Sequence, residues 1–328
     1  MGRRILMAAA VLPVLIGIAW VAPATLEAQS AAARTPWGDP DLQGLWTNTT
    51  TTPMERPDDL AEKDTLSSEE LAARDAEVAE AVSFDNISDG NVGAYNEFWV
   101  ERGALITQTS LIVDPPDGKL PPMTEDAQRK SQQFIQRWIA PPESWEDMNL
   151  YDRCITRGLP GAMIPGFYNH NYLILQTPDH VVLQVEMIHD TRIIPLAGRQ
   201  HAPSGIPEWM GHSLGRWDGD TLVVETEGFA AKAEQRVALA NFFLTFSGGP
   251  NSRLVERFTR LDDGTLDYRF TVTDPTIDTR EWTAAIPMQA YEEPLYEYAC
   301  HEGNYAMPNI LAGARADEER AAAEEQSR

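Results

Sequence analysis

The residues able to do chemistry crowd into one stretch of the chain. Between positions 184 and 220 lie Glu186, His189, Asp190, Arg192, Arg199, His201, Trp209, His212 and Arg216. An imidazole exchanges a proton near neutral pH, and a neighbouring carboxylate can fix its tautomer. An arginine beside them would orient a carboxylate or stabilise an enolate-like charge. These parts suit a cofactor-independent lyase, isomerase or hydrolase working by general acid–base chemistry on a small organic or glycoside-type substrate. His189, Asp190, Arg192 and His201 form the candidate catalytic set, and Glu186, Arg199, Trp209, His212 and Tyr168 the candidate substrate contacts. Plainer readings stand beside this one. His189 as a core imidazole bonded to a backbone carbonyl, Asp190 with Arg192 as an ordinary ion pair, and Glu186 as a salt-bridge partner of Arg192 account for the same pattern.

Two other constellations carry alternatives. His170, His189, His201 and His212 are four of the six histidines, and together they could ligate a divalent metal ion. Their spacings match no compact ligand motif, so no metal is expected in the main reading. Of the nine tryptophans, all but Trp20 fall in the body of the chain, accompanied by Tyr168, Tyr172, Tyr268, Tyr296 and Tyr298. Such faces suit sugar rings or flat apolar ligands held at the mouth of a β-barrel. That makes a non-catalytic small-ligand-binding barrel the alternative to an enzyme, with a packed aromatic core as the plain reading. The chain lacks a G-x-S-x-G elbow, a Walker A loop, a G-x-G-x-x-G turn, an H-E-x-x-H helix and an EF-hand loop.

The elements that must position these residues are mostly strands. Apolar–polar alternation marks 172–176, 181–187, 221–227, 254–261, 265–273, 281–288 and 295–300, and Asp262-Asp263-Gly264 reads as a hairpin turn. Alternation through 181–193 puts Val181, Leu183, Val185, Met187 and His189 on one face. The fold expected is mainly β, an antiparallel meander closed as a calycin-like barrel or, alternatively, folded as a β-sandwich, with peripheral helices. The helices are read at 68–82, behind a Ser67/Glu70 capping box, at 124–139 with Thr124 as N-cap, and near 314–326. Residues 29–150 are expected to form an extended and helical segment packed on the barrel. Residues 151–305 would then be the barrel or sandwich core, and 306–328 a helical tail.

Residues 1–28 read as a signal peptide, with Arg3 and Arg4 ahead of an apolar run and small residues near Ala28. The expected location is periplasmic or secreted. In that oxidising setting Cys154 and Cys300, the only two cysteines, are expected to pair. The formal charge of −24 over 328 residues argues against nucleic acid or an anionic membrane as partner and leaves a small-molecule ligand or substrate. Four stretches resemble a family of exported bacterial proteins: Cys154-Ile155-Thr156-Arg157-Gly158, then 187–196, 215–226 and 296–304. The resemblance covers nearly the whole chain after the leader. It implies export and a single globular unit, and it brings no activity with it.

Overall fold

A computed structural model describes residues 33–81, 98, 100–166, 168–196, 206–239 and 243–327, all within one compact unit. Residues 1–28, read above as a signal peptide, lie outside the described residues. In chain order the strands are β1 (Gly44–Thr47), β2 (Ile112–Asp114), β3 (Asn171–Gln176), β4 (His180–Val185), β5 (Thr191–Pro195) and β6 (His212–Asp218). They continue with β7 (Thr221–Glu227), β8 (Gln235–Leu239), β9 (Phe243–Ser247), β10 (Arg253–Arg260), β11 (Thr265–Thr273) and β12 (Trp282–Ala290). The helices are α1 (Ser68–Ala81), α2 (Glu125–Ile139) and α3 (Ala306–Gln326).

The main sheet is a nearly closed antiparallel barrel with the strand order β5-β4-β3-β1-β12-β11-β10-β7-β6. An odd ring of nine alternating strands cannot close antiparallel throughout, so one neighbouring pair has to run parallel. That pair is β5 and β6, which meet at a single parallel bridge between Leu196 and Gly215. A Cβ on Gly215 would lie 2.8 Å from Leu196 Cδ2 and 3.1 Å from Ile194 Cγ2, so the missing side chain lets the seam close. β1 is a stave between β3 and β12, and β2 hydrogen-bonds to β12. The segment 29–150, expected to pack on the barrel, thus also supplies part of it. The stretch 295–300, read as a strand from its alternation, has no regular structure.

The two ends of the barrel differ. At one end the links are tight, as at Gly219-Asp220, where Gly219 takes φ +61°, and at 261–264, where Gly264 N–H donates to Asp262 Oδ1 at 2.8 Å. The other end carries the long links 48–170 (containing β2), 228–252 and 274–281, together with the five-residue link 186–190. The helices obey their local signals there. Ser67 and Glu70 cap α1 reciprocally, and Thr124 Oγ1 accepts from Ala127 N–H at the start of α2.

The barrel interior is filled rather than hollow. Trp46, Tyr172, Phe258, Tyr268, Phe270 and Ile286 are all buried, with Phe258 stacked on Tyr268 at 4.7 Å between centroids. Among them sits a buried ion pair. Arg192 Nη1 donates to Glu256 Oε1 at 3.0 Å, the Tyr268 hydroxyl donates to the same oxygen at 3.1 Å, and Ser213 and Thr226 accept from Arg192 Nη2. Burial and the Glu256 charge hold the Tyr268 phenol protonated well above its ordinary range.

Candidate functional site

The long-link end of the barrel carries a cavity of about 450 Å3 outside the packed interior. Its apolar walls come from three sources: Met54, Leu66, Leu105 and Leu111 of the N-terminal segment, Phe134 and Trp138 of α2, and Ile164 and Met187 from the barrel links. Polar groups reach it from several segments: Arg74, Arg102 and Gln108 from the N-terminal segment, and Tyr151, Asp152, Thr156, Arg157, Tyr168 and His170, which form a polar corner, from 149–170.

Local structure fixes this polar corner. The Cys154–Cys300 disulfide, Cα to Cα 5.7 Å, ties the loop to the C-terminal segment. Thr156 Oγ1 donates to Asp190 Oδ2 at 2.8 Å while accepting from Gly158 N–H at 2.9 Å. Gly158 has φ +65°, and a Cβ there would lie 2.0 Å from Ser247 Oγ, so glycine alone fits after Arg157. The Arg157 guanidinium stands 5.7 Å from the Tyr151 ring centroid and puts Nη1 2.9 Å from His170 Nε2. Arginine can only donate, so Nε2 is the acceptor and the His170 proton belongs on Nδ1. His170 is fully buried, and burial together with the Arg157 charge drives its pKa well below the usual range. It is therefore neutral at neutral pH. Gly166 makes room for this ring, since a Cβ there would come within 2.2 Å of Nε2.

Three phenols adjoin the corner, with the Tyr151 hydroxyl 3.4 Å from those of both Tyr168 and Tyr298. Burial raises the pKa of Asp152 against an opposing hydrogen bond from Trp138, and burial likewise raises Asp190 against the bond from Thr156. Nearby, Asn171 Nδ2 donates to Glu186 Oε2 at 2.7 Å and lies 3.4 Å from Glu101 Oε2. Burial first, and then the Glu186 charge, raise Glu101.

The sequence candidates scatter around this corner. Tyr168 and His170 line the cavity, and Asp190 touches it through Thr156. His189 is exposed, with Nδ1 3.1 Å from the Tyr298 carbonyl oxygen. The alternation argument placed it facing inward, but β4 stops at Val185 and Ile188 and His189 take φ +62° and +52°. Those two left-handed residues reset the phase, so Arg192 and Ile194 point in instead. Arg192 pairs with Glu256 rather than with Glu186 or Asp190. Glu186 is buried and accepts from Asn171 Nδ2 and Tyr296 N–H. His212 opens β6 opposite Glu227, and Trp209 lies exposed in a turn. Arg199 and His201 lie outside the described residues. Among the described residues, no group of three or more His, Cys, Asp or Glu could hold a metal ion.

Sequence reasoning passed over Arg157, Tyr151, Asp152 and Gly166. One signal was available: Arg157 lies between a disulfide cysteine and a glycine, in a stretch already singled out for its resemblance. No protein-family model matches the chain, and no curated protein matches it.

Proposed function

We propose that the protein is an exported small-molecule-binding protein whose ligand occupies the cavity at the long-link end of the barrel. The observation that carries this reading is the cavity itself, about 450 Å3 with mainly apolar walls and a set of polar side chains from 149–170. Ligand sites typically have volumes of about 300–1,000 Å3 and that mixture of lining. A disulfide and the leader-like first 28 residues support export. Among the described residues no helix is long and apolar enough to cross a membrane.

A second reading, a cofactor-independent lyase, isomerase or hydrolase, is favoured by one observation. Asp152, a carboxyl raised by burial, lines the same cavity as Arg157 and Tyr151, and a carboxyl whose burial favours its protonated form is a workable proton donor.

The test uses the fluorescent apolar probe N-phenyl-1-naphthylamine. The folded protein is expected to bind it, and Leu60→Trp or Val78→Trp, which fill the cavity from half-buried positions, are expected to abolish binding without lowering Tm. Unchanged binding in both filled variants would overturn the proposed location. Mass analysis of natural ligands after incubation then separates the readings: recovered intact they support binding, and converted they support catalysis.

A further inference from the structure

The polar corner also says what kind of molecule belongs there. The chain carries 50 acidic residues against 26 lysines and arginines, so carboxylates are abundant and arginines readily find them. Arg192 meets Glu256, Arg236 meets Asp278 and Arg280 meets Asp114. Arg74 and Arg102 also line the cavity: Arg74 is bonded through both terminal nitrogens to Asp59, and Arg102 has a partner of its own. Arg157 is different. Among the described residues its guanidinium reaches no carboxylate, and its hydrogen-bonding neighbour is a neutral imidazole. Asp152 lines the same cavity but receives its hydrogen bond from Trp138.

A half-buried cation beside apolar walls is costly unless something compensates it. Here His170 accepts one N–H and Tyr151 offers its ring face, neither of which supplies negative charge. The arrangement orients the guanidinium and leaves its remaining donors for a planar anion. We infer that the ligand is an apolar small molecule bearing a single carboxylate, with Arg157 as its anion anchor and His170 and Gly166 as positioning residues. This rests on the cavity reading above. A carboxylate matches the fork of donors and the one positive charge that Arg157 supplies. The aromatic and aliphatic walls of Phe134, Trp138, Leu105 and Leu111 suit the apolar body.

Isothermal titration of the full chain with 1-naphthoate and with 1-naphthamide tests the inference, because the two share a body and differ in charge. Naphthoate is expected to bind roughly tenfold or more tightly than the amide. Arg157→Gln should abolish that preference, with the loss falling mainly on naphthoate, and Arg157→Lys should keep part of it. Gly166→Ala, which forces His170 off Arg157, should weaken naphthoate more than naphthamide, a split that a merely structural role would not produce. Equal affinity of the wild type for the two probes, or a preference that survives Arg157→Gln, overturns the anion anchor alone. Binding of neither naphthyl probe nor N-phenyl-1-naphthylamine overturns the cavity reading as well.

Discussion

Two arginines show how environment assigns the role of a residue. Arg192 is buried in the barrel against Glu256, whereas Arg157 is left beside a neutral histidine. Either arginine could have been a catalytic group by type, and only the nearby partners distinguish them. The Glu101–Glu186 pair belongs to the same scale. The two carboxylates meet around the Asn171 amide, with Asn169 N–H also donating to Glu101, Tyr296 N–H to Glu186, and Tyr291 nearby. Burial and the Glu186 charge make the folded state hold the Glu101 proton more tightly than the unfolded chain does. Stability from that proton is complete below the ordinary glutamate value of 4.5 and is lost as pH rises through the raised folded value. Glu101→Gln removes the second negative charge, so it should raise Tm at neutral pH, with the gain vanishing in acid. Thermal denaturation across that range checks it, and a gain that does not depend on pH would show the pair to be uncoupled.

Among the elements, the seam between β5 and β6 is where the barrel is weakest. Elsewhere antiparallel ladders hold the staves, the shortest of them the two pairs between β1 and β12, but here a single parallel bridge and close packing across Gly215 join them. Gly215→Val inserts atoms where Leu196 and Ile194 already lie, and overpacking of this kind costs about 1–3 kcal/mol. Urea denaturation should show that loss, and amide exchange should show early loss of protection in β5. Gly219, with nothing within 4 Å of its Cβ position, provides a control. Gly219→Asn keeps a residue tolerant of positive φ and should leave the seam intact.

Over the whole molecule, the architecture divides labour between the two ends of the barrel. The tight-turn end closes the meander, and the long-link end gathers distant segments around the cavity. The Cys154–Cys300 disulfide spans 146 residues and fastens the C-terminal stretch to that end. From there Asn304 Nδ2 donates to the Asp152 carbonyl, the Tyr298 hydroxyl approaches Tyr151, and Tyr296 N–H donates to Glu186. Replacing both cysteines with serine should cost about 2–4 kcal/mol of stability. Hydrogen exchange should then show residues 149–158 and 296–304 opening before the barrel staves. Simultaneous loss across the barrel would mean that the bond supports the whole fold rather than this end of it.

Much of this was legible along the chain. Alternation with Gly- and Asp-rich turns marked β3, β4, β7, β10, β11 and β12, capping pairs marked α1 and α2, and two cysteines behind a leader-like N-terminal stretch implied one disulfide. Those signals are local, because each depends on residues a few positions apart. The seam, the ion pair and the cavity are not local. Glu256 lies 64 positions from Arg192, and the cavity walls draw on segments from Thr50 to Gln235. Even the short stretch around His189 escaped, since two left-handed residues turned its phase, and nothing in the apolar–polar pattern reports a positive φ at Ile188. Sequence period determines which way a residue faces while the strand continues; the tertiary structure decides where the strand stops and which groups then meet through space.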